Sequence, residues 1–268
     1  MKNGQQDKRA GILKNIYIGL VFLFLYLPIF MVIIFSFNKS KMNIVWEGFT
    51  LQWYGTFFHN RTLMESLWVS LLIAVISTAV STVIGTLGAI GLNKFHFKGK
   101  DFIEQLLYIP VVIPEIILGV ALLCIYSAIN MPLGILSITL SHITFCIPFV
   151  VISVRARLAG FDKYLEEAAM DLGANEFVTF WKIILPLIMP GVTSGALLSF
   201  SLSMDDVIIS FFVTGPGSTT LPLKILSMVK TGVTPEVNAL STIIMFVIIL
   251  IISINTGLQV KKLKAKPF

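Results

Sequence analysis

Long uncharged hydrophobic stretches recur along the chain, separated by shorter polar segments. Crossing the hydrocarbon core of a bilayer, roughly 30 Å thick, takes about 20 helical residues. Four stretches of that length stand out: 16–37, 67–92, 183–204 and 237–260. Each of them predicts a helix that spans a membrane.

A further stretch, residues 116–154, carries no charge and is too long for a single crossing. Its middle, Asn130 to Gly134, combines Asn, Pro and Gly in the way that turns do. We therefore predict two helices here, at about 102–127 and 133–154, and six spans in the whole chain. The first stretch has no small-residue cleavage site, so we expect it to be retained as a helix.

Basic residues are distributed unevenly between the two predicted sides of the membrane. Of the 20 Lys and Arg residues, 15 fall on the side of the two termini and 5 on the other. Because Lys and Arg near helix ends stay in the cytoplasm, both termini are predicted to be cytoplasmic. With 56% hydrophobic and 13% charged residues, the composition excludes an ordinary soluble domain. The net charge of +6 follows from this bias and requires no nucleic-acid partner.

The segment between the fourth and fifth predicted spans is longer than an ordinary connector. Its sequence, RARLAGFDKYLEEAAMDLGANEFVTFWKIILPL, predicts a helix, a turn and a second helix. Asp162 is a suitable N-cap for a helix over 163–172, Gly173 supplies the left-handed residue that ends it, and Asn175 caps the next helix. From periodicity alone, a helix lying at the lipid headgroups is as good an interpretation as a helix that binds a partner.

The order of residues in this segment favours the partner. Glu167-Ala168-Ala169, three residues, Gly173, nine residues and then Ile183-Ile184-Leu185-Pro186 match the pattern E-A-A-x3-G-x9-I-x-L-P. This resembles the cytoplasmic loop of ABC importer membrane subunits. The resemblance implies that the loop, 158–187, carries a coupling helix that docks on a separate ATPase. The candidate coupling residues are Glu166, Glu167, Ala168, Ala169, Gly173 and Glu176.

Neither ATP hydrolysis nor metal chemistry is predicted for this chain. The Gly-rich stretch at 215–220 lacks the G-K-[ST] ending that binds phosphates, so a partner must hydrolyse the ATP. His59, His96 and His142 are far apart and show no ligand spacing. We predict a transport subunit with no catalytic residues, no metal and no cofactor of its own; ATP and Mg²⁺ would be bound by the partner ATPase.

Three carboxylates lie at membrane depth without nearby Lys or Arg: Glu115, Asp205 and Asp206. A charged Asp at the centre of a membrane helix costs roughly 2.5–3.5 kcal/mol, so these side chains should face a protein interface or a wet cavity. A path lined with acidic groups favours a cation as the transported species. At 1.5 Å per residue along a straight third helix, Glu115 is expected about 20 Å from the cytoplasmic side.

A polar stripe distinguishes the two adjacent aspartates. On a continuous helix Asp206 aligns with Ser199, Ser203 and Ser210, whereas Asp205 aligns with Ser201. Close packing of small residues against another helix explains the serines equally well. For the carboxylates a path role is favoured, and Asp206 is the preferred contact for the cargo.

Further segments resemble the spermidine/putrescine permease family of bacterial ABC importers. The matching segments are W-x-G-F-T-x-x-W-Y within 42–54, LSHITFCIPFVV at 140–151, 167–190, SFSLSMDDVIISFFVTGP at 199–216 and LPLKILSMVKTGVTPEVNAL at 221–240. The resemblance implies an all-α type I importer permease fold, one transmembrane domain over 1–268, and location in the inner membrane. It also implies a second permease (PotB), an ATPase dimer (PotA) and an external polyamine-binding protein (PotD) as partners.

The substrate-path residues implied by this resemblance are Trp46, Glu115, Ser203, Asp205 and Asp206. Glu115 stands where some relatives have Asp, which keeps the charge and lengthens the side chain by one methylene. Two alternatives remain open from the residues. Beside a polyamine permease, these are an ABC permease for another cationic ligand, and an ATP-independent cation channel or proton-coupled carrier that uses the same carboxylates.

Overall fold

The computed structural model describes residues 3–41, 45–160, 164–231 and 235–264. Helices make up most of this part of the chain, and Asn38 and Phe49 form an isolated antiparallel bridge. The helices are α1 (Asn3–Ser36), α2 (Gln52–His59), α3 (Arg61–Lys94), α4 (Lys100–Val112), α5 (Glu115–Ala128), α6 (Ile135–Leu158), α7 (Tyr164–Asp171), α8 (Glu176–Thr179), a π-helical turn (Phe180–Ile184), α9 (Leu185–Asp205), α10 (Ile208–Val213), α11 (Leu221–Thr231) and α12 (Pro235–Lys264).

The hydrophobic stretches of the sequence correspond to these helices. In the described residues, four helical segments are long and apolar enough to cross a membrane: Lys14–Ser36, Arg61–Lys94, Ile135–Leu158 and Glu176–Asp205. A fifth is obtained if the bent pair α4 and α5 counts as one span. The sixth predicted span falls in α12, and six spans therefore remain a prediction.

The third predicted span is broken, and the expectation of one straight helix over 102–127 is wrong. α4 and α5 are bent by 111° relative to each other. Between them Ile113 is extended, with φ −71° and ψ 137°, because the ring of Pro114 disfavours helical backbone in the residue before it. Glu115 thus begins a new helix, and its depth does not follow from the rise along α4.

The described residues form two compact units. The first comprises residues up to Met64 and from Ser227 onward, in which α1 and α2 both pack against α12. Asn38 organises the loop after α1, since its Nδ2 donates to the Val45 carbonyl at 2.7 Å and its own carbonyl accepts from Trp53 Nε1 at 2.7 Å.

The second unit, Glu65–Leu226, is built around the packing of α6 against α9. Glycine permits the close approach of these helices, because a Cβ added at Gly195 would lie 3.1 Å from Val150 Cα. A second contact joins α5 and α10, where a Cβ on Gly119 would lie 2.7 Å from Cδ2 of the Phe212 ring. Small residues therefore hold together the helices that carry the acidic positions.

The start of α9 contains an irregularity that sequence analysis did not predict. Pro186 has no N–H to donate to the preceding turn, and a π-helical turn over Phe180–Ile184 leads into α9. The N–H of Leu185 reaches back five residues to the carbonyl of Phe180. The coupling segment and α9 are consequently joined through helical turns.

Candidate functional site

The two adjacent aspartates occupy a break in the fifth predicted span. α9 ends at Asp205, Asp206 is extended with φ −63° and ψ 124°, and α10 starts at Ile208. Asp206 caps α10: its Oδ1 accepts from the Ile209 N–H at 3.1 Å and its Oδ2 from the Ser210 N–H at 2.7 Å. The preference for Asp206 rested on a continuous helix through Ser210, and that premise is wrong. Both oxygens of this carboxylate already accept a backbone N–H, which leaves few lone pairs to bind a cargo.

The serine stripe is nevertheless buried on one side. Ser199, Ser203, Asp206 and Ser210 are all inaccessible, and the Asp206 side chain is only 3% exposed. Ser203 Oγ lies 3.1 Å from Ser77 Oγ on α3, while Ser199 Oγ has no hydrogen-bond partner among the residues that the structure describes. Close packing of small residues, left open by the sequence, therefore describes this face better than an open path lining does.

His142 on α6 completes the network around Asp206. Its Nε2 lies 3.2 Å from Asp206 Oδ2 and 3.1 Å from Ser210 Oγ, and its Nδ1 lies 2.7 Å from Ser203 Oγ. Sequence analysis considered this histidine only as a metal ligand and missed it. The signal was available, because an ionisable residue inside an apolar span is a functional candidate by default.

Asp205 and Glu115 differ from Asp206 in being exposed. Glu115 is the first residue of α5 and lies within electrostatic range of both aspartates. Within the residues that the structure describes, neither exposed carboxylate forms an ion pair with a Lys or Arg. Three negative groups thus converge at two helix breaks of the second unit, and two of them are open to a cation.

Trp46 belongs to the first unit, on the loop after α1, and is 47% exposed. The neighbouring Glu47 is held by its backbone, whose N–H donates to Asn38 Oδ1 at 2.9 Å. Residues 42–44, at the start of the predicted motif, lie outside the described residues. An exposed indole of this kind can bind an organic cation through its ring face.

The segment predicted to be cytoplasmic forms the expected helix, turn and helix. α7 covers Tyr164–Asp171, and the predicted cap Asp162 and first helical residue Lys163 lie outside the described residues. Gly173 has φ +88°, as a helix-terminating glycine should. Asn175 caps α8 through its Oδ1, which accepts from the Val178 N–H at 2.8 Å. The predictions for Gly173 and Asn175 are therefore confirmed, and the cap at Asp162 stays a prediction.

The acidic coupling residues surround a cavity of about 330 Å³ beneath α7, to which Glu166, Glu167 and Glu176 all contribute. Glu166 Oε1 pairs with Nζ of Lys94, the last residue of α3, at 2.5 Å. In the EAA triplet, Glu167 and Ala168 are exposed whereas Ala169 is buried. α7 therefore packs against the rest of the protein through Ala169 and exposes Glu167 and Ala168.

Large apolar side chains of this segment remain exposed. They are Tyr164, Leu165, Leu172, Phe177 and Trp181, of which Leu172 is 90% exposed. An apolar patch on a charged loop is a mark of a protein or membrane contact. The segment thus has the surface expected of a docking element.

Comparison with known families decides the class of the protein. Residues 81–264 match the family model for the binding-protein-dependent transport system inner membrane component. The chain belongs to this family. It is a membrane permease subunit of the inner membrane, and membership implies a transport subunit rather than an enzyme.

Several curated relatives of this permease are named for polyamine transport systems. It is 47% identical to the spermidine/putrescine transport system permease protein PotC of Escherichia coli strain K12 over 87% of this chain and 89% of the relative. It is 42% identical to the putrescine transport system permease protein PotI of the same organism, over 84% of this chain and 82% of the relative. The resemblance drawn from the sequence motifs is confirmed.

Among solved structures, the permease fold matches a bacterial ABC transporter involved in the import of the acidic polysaccharide alginate. The TM-score is 0.72 at 17% sequence identity, over 95% of this chain and 96% of the other. At this identity the likeness concerns the fold alone. It supports the ABC importer permease architecture and carries no information about the cargo.

Proposed function

We propose that this permease imports polyamines of the spermidine and putrescine type, forming half of a translocation path driven by a separate ATPase. The observation that carries the proposal is the pair of exposed carboxylates, Glu115 and Asp205, at two helix breaks of one unit. An unpaired carboxylate attracts an ammonium group, and a linear polyamine offers several of them. The names of the relatives point to the same class of cargo.

Two separated carboxylates suit conduction better than one deep trap. A passing ion must bind strongly enough to enter the path and weakly enough to leave it. Two carboxylates that each contribute part of the binding free energy satisfy both needs. Asp206 and Ser203 support these sites from the buried network and do not touch the cargo in this arrangement. Trp46 is the proposed aromatic contact at the entrance.

Coupling to ATP is proposed to run through the cytoplasmic loop 158–187. The exposed apolar patch and the outward Glu167 and Ala168 are available to a partner surface. Glu166 and Glu176 on the cavity beneath α7, together with the Gly173 turn, would carry the movement of that partner into α9. The π-helical turn that joins α8 to α9 makes such transmission direct.

The proposed assembly contains this chain as one transmembrane domain over 1–268, with six spans and cytoplasmic termini. Its partners are counterparts of PotB as the second permease, of PotA as the ATPase dimer that binds ATP and Mg²⁺, and of PotD as the external binding protein. The positive charge bias supports this orientation.

Uptake of labelled spermidine and putrescine by proteoliposomes containing the four components tests the proposal. We expect uptake that requires ATP and that stops when any one component is omitted. Uptake that persists without ATP would instead identify a channel or a proton-coupled carrier. A complex that hydrolyses ATP in response to its binding protein but imports neither amine would refute the polyamine assignment.

A further inference from the structure

His142 is a buried polar side chain for which the transport proposal provides no role. It lies within α6, is 1% exposed, and has a hydrogen-bond partner on each ring nitrogen. Burying an imidazole in an apolar helix costs free energy that only such bonds offset. A leucine would fill a similar volume without this cost. Space filling alone therefore does not explain an imidazole at this position.

We propose that His142 is a positioning residue for the transport step. By holding the Asp206 carboxylate it fixes the break between α9 and α10, and it thereby sets the position of Asp205 relative to Glu115. The proposal rests on the proposed function only for the identity of the cargo, a linear polyammonium ion.

The direction of the hydrogen bonds supports this role. The Asp206 carboxylate can only accept, so His142 Nε2 must carry the proton that faces it. On the other side of the ring, Nδ1 lies 2.7 Å from Ser203 Oγ, which in turn is 3.1 Å from Ser77 Oγ. One imidazole therefore links α3, α6, α9 and α10 at a single buried point.

The consequence for the open carboxylates follows from chain connectivity and packing. Asp205 is the last residue of α9 and directly precedes Asp206. A shift of Asp206 therefore also moves Asp205. Glu115 begins α5, and α5 packs against α10, the helix that Asp206 caps. The positions of Glu115 and Asp205 therefore both depend on the Asp206 carboxylate that His142 holds.

Three substitutions separate positioning from mere packing. His142→Gln keeps a donor at about the reach of Nε2 and can still bond Asp206. His142→Asn is shorter and reproduces only the Nδ1 contact to Ser203, while His142→Leu makes neither bond. His96→Leu is the matched control, because it changes an exposed histidine in the same way away from the network.

The readout is the amount of ATP hydrolysed per amine imported by the reconstituted four-component complex. We expect this ratio to rise about tenfold for His142→Leu and His142→Asn, the scale set by one hydrogen bond to a charged group. It should stay near the wild-type value for His142→Gln and His96→Leu. Poor folding or assembly lowers uptake and hydrolysis together and leaves the ratio unchanged. An unchanged ratio in His142→Leu, or equal ratios for Asn and Gln, would overturn the proposal.

A second measurement does not depend on the cargo. After Cys124→Ala and Cys146→Ala, the variant Asp205→Cys has one thiol in this chain, and the labelling of this chain by a membrane-impermeant maleimide is followed after the subunits of the purified complex are separated. Adding His142→Leu should change the labelling rate at this thiol, and adding His142→Gln should not. Equal rates in all three backgrounds would refute the positioning role whichever ion is carried. Absence of polyamine uptake by the wild-type complex would refute the proposed function alone.

Discussion

Replacement of Asp206 by alanine should lower the free energy of unfolding. It should leave the exposed carboxylates Glu115 and Asp205 chemically unchanged. The change removes the acceptor for the N–H groups of Ile209 and Ser210 at the start of α10. Loss of an N-cap costs about 0.5–2 kcal/mol, and a buried donor left without a partner costs about 1–3 kcal/mol. Because these contributions overlap, we expect a total loss of about 2–4 kcal/mol in the free energy of unfolding.

Reversible denaturation of the purified chain in mixed micelles measures this difference. Asp205→Ala is the matched control, since the neighbouring carboxylate is exposed and its removal should change stability by less than about 0.5 kcal/mol. Polyamine uptake per folded complex should show the reverse order, with Asp205→Ala the more severe change. Equal stability of Asp206→Ala and the wild type would show that the cap does not hold the break, and our assignment of the two aspartates would then be wrong.

Four further predictions concern the loop between α6 and α9 and the helix contacts. Lys94→Ala should cost less than about 1 kcal/mol because its ion pair is partly exposed. Lys94→Glu should weaken binding of the ATPase in a co-purification assay, and adding Glu166→Lys should restore it; failure to restore would exclude a role for the pair. Gly195→Ala should lower the free energy of unfolding by about 1–3 kcal/mol in a denaturation assay, because its new Cβ lies 3.1 Å from a backbone atom of α6. Gly88→Ala is the control and should not destabilise the protein, because the nearest neighbour of its Cβ is 4.0 Å away. Gly173→Val at φ +88° should cost about 1–2 kcal/mol locally and raise protease cleavage after α7; unchanged cleavage would contradict the requirement for a left-handed residue.

Features that depend on neighbouring residues were predictable from the sequence. The hydrophobic stretches gave the long helices, and the Asn130–Gly134 turn separated α5 from α6 as expected. The cap at Asn175 and the left-handed Gly173 follow from the backbone preferences of those residues alone. The bend before Glu115 was within reach of the same reasoning, because Pro114 restricts the residue before it.

Features that depend on distant residues were not predictable in this way. Asp206 and His142 are 64 positions apart, and only the packing of α6 on α9 brings their side chains together. The stripe of serines correctly identified a common face, but periodicity cannot tell a buried face from a path lining. The end of α9 at Asp205 is different, because the bonds from Ile209 and Ser210 to Asp206 are local and Asp is a common N-cap residue.

The contact between α5 and α10 joins the two segments that follow the breaks. Gly119 lets the ring of Phe212 lie close against α5, so these two short helices are tightly packed against each other. Glu115 and Asp205 lie at the two breaks that lead into these helices. The separation of their carboxylates would decide which diamine can reach both with its two ammonium groups. Polyamines would then be distinguished by the length of their methylene chains.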